Sequence, residues 1–226
     1  MLLMHDCKEL LLACESIANK LTASVANIVE QFNSDKVIRD NHGRVLNLPQ
    51  VPDLLVDANT FLSNANKVVR LLCLLPGRFT QLKEDSNFDK LALTLAAALP
   101  VGSKLTEFVT AEAPVIRRIV ELRNFAEHPK QKKTEIHNFE AMPSGKIRVP
   151  VWGFSEDDFI GISDEMKAII GYLMRIAESM LIGSLEQCRE KSFPAVLVRE
   201  ISLNLECPIA FRYCVDTSKL KFPDPP

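Results

Sequence analysis

The chain has 226 residues, of which 47% are hydrophobic and 25% are charged, and its formal net charge at pH 7 is −2. These values are ordinary for a folded protein, so they exclude extensive disorder, and the length suits one large domain with an ample core. The small net charge excludes a general positive field for nucleic acids, so any surface that binds RNA or DNA has to be a local patch.

The six cysteines indicate a reducing compartment. None of them forms a CxxC pair, and we interpret them as small buried side chains rather than as a disulfide framework or a zinc site. The longest uncharged apolar run, residues 91–103, is short and is interrupted by Pro100. The sequence therefore predicts a cytoplasmic protein with no membrane contact, no metal site and no cofactor.

Apolar residues at intervals of three and four predict four helices between residues 3 and 127. The first spans residues 3–32, and the second spans about 53–75, where the sequence Pro-Gly-Arg is expected to end it. The third has Ser86 as its cap and ends before Pro100. The fourth fills about 104–127. These helices predict a bundle.

Strand-forming residues follow the fourth helix. The segments KTEIHNFE and KIRVPVW flank a Pro-Ser-Gly turn and predict a β-hairpin near residues 134–152. A last long helix, with Ser155 or Ser163 as its cap, completes the bundle. The predicted fold is mainly α: four or five helices with the inserted hairpin over residues 1–190, and a β-rich extension over residues 191–226 that packs on the same domain.

The sequence RNFAEHP, at the end of the fourth predicted helix, is the most informative motif. In helical projection Arg123 lies about 20° from Ile116, so it continues an apolar stripe. A guanidinium at that position needs a partner or an open cleft, because an unpaired buried charge is very costly. Asn124 and His128 are four residues apart and share a neighbouring face, and Pro129 loosens the helix so that the imidazole can approach Arg123.

These three side chains suit the attack of a ribose 2′-hydroxyl on its adjacent phosphodiester, a reaction that needs no metal ion. An imidazole with a pKa near ~6.5 gives and takes protons at neutral pH. An arginine binds phosphate and stabilises added negative charge in a transition state, while an asparagine can fix the imidazole tautomer. Basic residues that lie nearby in the sequence could hold the RNA backbone: Lys130, Lys132, Lys133, Arg117 and Arg118.

The sequence RNFAEH resembles the Arg-polar-x-x-x-His signature of HEPN domains, all-helical bundles found in prokaryotic toxins and defence systems. In that family the motif lies near the end of a later core helix, and active members dimerise so that two motifs line one cleft and act as metal-independent ribonucleases. The resemblance implies that Arg123 and His128 are catalytic and that Asn124 supports them. It also implies an RNA substrate, a homodimer, and a role beside an antitoxin or nucleotidyltransferase partner. The hairpin and the C-terminal strands are not part of the minimal family pattern.

Two other interpretations stay open at this point. A HEPN-like module could bind a nucleotide, RNA or a partner protein without cleaving anything. In a purely structural interpretation, Arg123 pairs with Glu127 four residues later, and His128 closes the helix, where a cation suits the helix dipole. The position of Arg123 and His128, in a solvent-reached cleft or separately satisfied on the surface, distinguishes these hypotheses.

Overall fold

The structure is a computed structural model, and it is mainly helical, as predicted. It describes residues 2–34, 38–39, 45–80, 82–85, 87–129, 132–142, 144, 146–188, 195–199 and 211–215. Within these residues the helices are α1 (Leu2–Asn33), α2 (Leu54–Phe79), α3 (Phe88–Ala98), α4 (Lys104–Glu127) and α5 (Ile162–Cys188). The strands are β1 (Ile38–Arg39), β2 (Val45–Asn47), β3 (Glu135–His137), β4 (Glu140–Ala141), β5 (Ile147–Arg148), β6 (Val151–Gly153), β7 (Ile160–Gly161), β8 (Ala195–Arg199) and β9 (Phe211–Val215).

Helix α2 lies at the centre of the bundle and packs against α1, α4 and α5, while α3 packs mainly on α4. Burial of each large apolar side chain contributes about 1.5–3 kcal/mol, so this helix carries much of the core. Its buried residues recur at the predicted spacing: Ala58, Phe61, Leu62, Ala65, Val68, Val69, Leu72 and Cys73.

The predicted end of α2 was wrong, because the helix continues through Pro76 to Phe79. Proline removes a backbone donor and usually ends or bends a helix. Here Pro76 and Leu75 are themselves buried in the core, so packing offsets the lost hydrogen bond. Thr80 closes the helix by donating its backbone N–H to the carbonyl of Pro76 at 2.9 Å.

The other helix ends follow the sequence closely, with two corrections. Helix α3 is capped by Asn87, whose side-chain oxygen accepts from the N–H of Lys90 at 3.1 Å; the predicted cap, Ser86, lies outside the described residues. Neither Ser155 nor Ser163 caps α5. Ser155 precedes a short 3-10 turn instead, and Ser163 lies inside the first turn of α5. Helix α4 has the predicted bounds.

The predicted hairpin is confirmed, and it forms in two parts that follow one register. Strand β3 pairs antiparallel with β6, and β4 pairs antiparallel with β5. Strand β7 then adds to the free side of β6. At the break between the two parts, Asn138 uses its side-chain amide to bond the backbone N–H and carbonyl of Val51 at 3.0 and 2.9 Å.

The hairpin is anchored to the bundle by buried side chains. Phe139 and Trp152 are buried, and the Trp152 ring lies 6.1 Å from that of Phe61 in α2. Thr134, just before the hairpin, donates its hydroxyl to the carbonyl of Leu122 in α4 at 2.8 Å. These contacts hold the start of the hairpin against the last turns of α4, where the sequence motif lies.

The remaining strands form separate pairs, β1 with β2 and β8 with β9. The two C-terminal strands were predicted. The packing of residues 191–226 on the bundle stays a prediction.

Helix α5 is long and apolar enough, by length and composition alone, to cross a membrane. A core helix of a soluble protein passes the same test, and α5 contacts both α1 and α2. The cytoplasmic localisation therefore stays a prediction. The buried residues of α5 are Ile162, Met166, Ile169, Leu173, Ile176, Ala177, Met180 and Ser184.

Candidate functional site

The motif RNFAEHP forms the last turn of α4 and its C-terminal cap. His128 is the cap residue: its backbone leaves helical geometry, with φ −132° and ψ 64°, and its N–H donates to the carbonyl of Asn124 at 2.8 Å. The following Pro129 explains this geometry, since the residue before a proline is disfavoured in the helical region. A bond of 3.4 Å from the N–H of Thr134 to the carbonyl of Phe125 ties the chain after the motif back to the helix.

Arg123 has partners on its own helix. One guanidinium nitrogen, Nη1, donates to Oδ1 of Asn124 at 3.1 Å, and the other, Nη2, pairs with Oε2 of Glu127. The side chain is 21% exposed, and its Nε is buried with no hydrogen-bond partner among the described residues. The neighbouring Leu122 is fully buried, so Leu122 lies in the core and Arg123 lies at the edge of the core.

His128 is the most accessible member of the motif, with 71% of its side chain exposed. Its Nε2 lies 4.0 Å from the same Glu127 oxygen that pairs with Arg123. Glu127 thus joins Arg123 and His128 through one carboxylate. From its spacing in the sequence, Glu127 was predicted only as a partner of Arg123. Its place between Arg123 and His128 follows from the cap geometry of residue 128, which helical spacing does not show.

The two adjacent arginines of α4 face different parts of the molecule. Arg117 forms a fork-like pair with Asp89 of α3, at 2.7 Å from Nη2 to Oδ1 and 3.5 Å from Nε to Oδ2. The hydrogen bond and the charge of Asp89 raise the pKa of Arg117 above its usual value. Both side chains are about half exposed, so the pair lies at the surface.

Arg118 belongs to an internal network. Its Nε donates to Glu165 of α5 at 2.9 Å, and its Nη1 donates to Asp158 of the 3-10 turn at 2.8 Å. The second oxygen of Glu165 accepts from the indole N–H of Trp152. Burial alone would lower the pKa of Arg118, but the hydrogen bonds and charges of Glu165 and Asp158 outweigh it and raise the pKa. Arg118 therefore joins elements of the fold and does not lie with Arg123.

The predicted lysine patch is only partly described. Lys132 and Lys133 are exposed, and Nζ of Lys132 lies 5.8 Å from the centre of the Phe154 ring, within the range of a cation–π contact. Lys130 lies outside the described residues. The two described lysines follow the motif directly and leave their ammonium groups accessible to a phosphate backbone.

A cleft of about 390 Å³ lies between α2, α4 and the start of α3. Asn124 and Arg117 line it, whereas Arg123 and His128 are not among its lining residues. The three predicted catalytic residues thus divide: Asn124 reaches the cleft, and the other two lie at the helix end. The pair of Arg123 with Glu127 and the exposed cap position of His128 are the arrangement that the structural interpretation predicted. Asn66 was not predicted as a residue of the cleft. The signal in the sequence was an asparagine among the apolar residues on the inward face of α2. The full lining is Asn66, Val69, Arg70, Asn87, Phe88, Asp89, Lys90, Ala113, Ile116, Arg117, Val120 and Asn124.

Among the described residues, no group of three or more histidine, cysteine, aspartate or glutamate side chains could hold a metal ion. The comparisons with known proteins found no matching family, no matching curated protein and no matching solved structure. The fold and the site define a mainly α bundle with an inserted hairpin and an Arg-Asn-x-x-x-His motif at the end of its fourth helix.

Proposed function

We propose that this protein is a metal-independent endoribonuclease of HEPN type that acts in the cytoplasm as a toxin or defence effector. The observation that carries the proposal is the arrangement around one Glu127 oxygen: Arg123 pairs with it, and Nε2 of His128 lies 4.0 Å from it. Asn124 is bonded to the same arginine. Exposed lysines follow directly in the chain and suit an RNA backbone.

In the proposed reaction His128 accepts the proton of the ribose 2′-hydroxyl. The 2′-oxygen then attacks the adjacent phosphorus, the bond to the 5′-oxygen breaks, and a proton is delivered to that leaving oxygen. The products are a 2′,3′-cyclic phosphate and a free 5′-hydroxyl. Arg123 stabilises the added negative charge on the phosphoryl oxygens. Glu127 lies 4.0 Å from the imidazole and pairs with Arg123, so it holds the arginine beside the histidine.

The proposal includes a homodimer, because one copy leaves His128 on an open surface. A reaction of this kind benefits from a site that excludes water and surrounds the phosphate with donors. A second copy facing the end of α4 would provide both and would bring two motifs to one RNA strand. An antitoxin or nucleotidyltransferase partner would act on the same surface by covering it.

The test compares wild-type protein, His128→Ala and a matched control, His5→Ala, which removes another exposed histidine from α1. Each is incubated with labelled transfer RNA and total RNA in excess chelator, and the product ends are analysed. We expect cleavage to a 2′,3′-cyclic phosphate, slower by about 10²–10⁴-fold in His128→Ala and unchanged in His5→Ala. Cleavage at full rate by folded His128→Ala would contradict the proposal.

A second candidate is a HEPN-like module that binds RNA, a nucleotide or a partner protein without catalysis. The pair between Arg123 and Glu127 favours it, because a paired carboxylate reduces the positive charge that a transition state would need. The position of Asn124 on the cleft, which His128 does not line, favours it as well. In this case no RNA is cut by the wild type, while Arg123→Ala still weakens RNA binding.

A further inference from the structure

The hairpin carries a histidine that lies between two carboxylates. Nδ1 of His137 is 3.1 Å from Oε1 of Glu140, and its Nε2 is 3.1 Å from Oε2 of Glu135. A neutral imidazole has one N–H donor and one lone pair, so it can donate to only one of these carboxylates. The protonated ring has two N–H groups and can donate to both.

The charges around the ring favour the same protonated form. Arg148 of β5 pairs with the other oxygen of Glu140. With His137 protonated, two cations balance the two carboxylates, whereas a neutral ring leaves the group with excess negative charge. Burial alone would raise the pKa of Glu140, but the hydrogen bonds and charges of His137 and Arg148 outweigh it and lower the pKa. Glu140 therefore stays ionised in mildly acidic solution, where imidazoles gain their proton.

An aromatic ring packs against the histidine. The centre of the Phe159 ring lies 4.9 Å from the centre of the His137 ring, and the guanidinium of Arg148 lies 5.7 Å from the same phenyl ring. A cation beside an aromatic ring is attracted by the negative face of the ring, so protonation of His137 strengthens this contact as well.

The register of the sheet shows where the cluster lies. His137 pairs with Val151, and the next residue of β6, Trp152, is buried in the core. Successive side chains of a strand point to opposite faces of the sheet. His137 therefore lies on the face opposite to the one that packs on the bundle.

Residues 154–159 cross this face between β6 and β7. They lie close to it, because a Cβ at Gly153 would be 2.7 Å from the carbonyl oxygen of Asp158 and 2.9 Å from the Phe159 ring. The side chain of Asp158 accepts from Arg118 of α4 at 2.8 Å. The segment thus contacts α4 through Asp158 and the hairpin through Phe159.

We propose that His137 is a pH-sensitive switch that fastens residues 154–159 to the hairpin. The protonated ring bonds both carboxylates and attracts Phe159, whereas the neutral ring loses one carboxylate bond. The stabilisation is full at the acidic end of the range in which imidazoles titrate, about pH 5–8, and is lost as the pH rises through that range.

The groups that face the ring come from each element packed against it. Within the described part of the chain, the charged ones are Glu135 of β3, Glu140 of β4 and, through Glu140, Arg148 of β5. Strand β6 presents Val151, and residues 154–159 present Phe159, neither of which titrates. The switch does not depend on RNA cleavage, because none of these residues belongs to the motif at the end of α4.

The test measures amide hydrogen exchange in β3 and β6 at about pH 5.5 and about pH 8, expressed as protection factors. We expect wild-type protection to be about threefold higher at the lower pH, a size typical of charged pairs that are partly exposed. His137→Gln, which can donate a hydrogen bond but carries no charge, should abolish the difference. His5→Gln is the matched control: it removes an exposed histidine of α1 and should leave the difference unchanged.

A second variant tests the carboxylates with the imidazole in place. Glu135→Gln/Glu140→Gln should also abolish the difference between the two pH values, even where protection is lower at both. An equal pH difference in wild type and His137→Gln, or no difference in the wild type, would overturn the proposal. His128→Ala should keep the difference, so a failure of the ribonuclease proposal is distinguishable from a failure of this one.

Discussion

Arg118 and Arg123 lie five residues apart on α4, and both are partly buried beside carboxylates, yet their partners differ. Arg118, with 27% of its side chain exposed, pairs with Glu165 and Asp158, which come from two other elements of the fold. Arg123, with 21% exposed, pairs with Glu127 and Asn124 of its own helix and with no other residue that the structure describes. The residue type and the burial are almost the same, but only one of the two arginines joins distant parts of the chain.

The difference shows which arginine is available for a ligand. The pairs of Arg118 hold α4 against the 3-10 turn and α5, so a ligand that took this guanidinium would have to disturb the fold. The pair of Arg123 is local, and pairs four residues apart on a helix contribute only about 0.3–0.5 kcal/mol. A phosphate can therefore replace Glu127 at Arg123 without any change in how the helices pack.

The largest expected effect is on Arg118. Arg118→Met keeps most of the packing volume but leaves Glu165, whose side chain is only 11% exposed, without its cationic partner. We expect a loss of about 2 kcal/mol in the free energy of unfolding, measured by urea denaturation. Arg175→Met is the control, because Arg175 also pairs across helices, with Glu112, but is 54% exposed and should matter little. An equal loss of unfolding free energy in Arg118→Met and Arg175→Met would show that the buried pairs of Arg118 matter no more than an exposed pair.

A smaller effect is expected for the same substitution at Arg123. Arg123→Met should change the free energy of unfolding by less than about 0.5 kcal/mol, since the lost pair is local and the buried, unpartnered Nε is removed at the same time. RNA binding, measured by a filter or fluorescence assay, should nevertheless weaken clearly. A loss of stability close to that of Arg118→Met would show that Arg123 is a structural residue.

The features that depend on neighbours in sequence could be predicted from the sequence. The bounds of α4, the hairpin and the motif at the helix end all follow from periodicity, turn residues and a proline. The pair of Arg123 with Glu127, four residues apart, was among the predictions, but the partners of Arg117 and Arg118 could not be predicted. Both were grouped as RNA-binding, although adjacent helical residues point about 100° apart. The carboxylates that bind Arg118 lie 40 and 47 residues further along the chain.

The cleft was missed for the same reason. Asn66 stands among apolar residues of α2, and its position on the cleft becomes visible only when α3 and α4 are placed beside it. Helical spacing predicts that such a position faces inward, but it does not show whether the fold supplies a hydrogen-bond partner. Packing between elements decides this, as it decides which of the two arginines, Arg118 or Arg123, joins distant parts of the chain.

The smallest effect on stability is expected for Glu127→Gln. This substitution tests the pair with Arg123 by changing the carboxylate and not the arginine. Glu127 is the last residue of α4, where a negative charge opposes the helix dipole at a cost of about 0.3–1 kcal/mol, while its pair with Arg123 contributes about 0.3–0.5 kcal/mol. These terms nearly cancel, so the free energy of unfolding should change by less than about 0.5 kcal/mol. If Arg123 contacts phosphate, its release from the carboxylate should tighten RNA binding at low salt by about tenfold, the equivalent of a charged hydrogen bond. Unchanged RNA affinity in a folded Glu127→Gln protein would mean that the pair is only a helix-end contact. Arg123 would then, like Arg118, take no part in binding RNA.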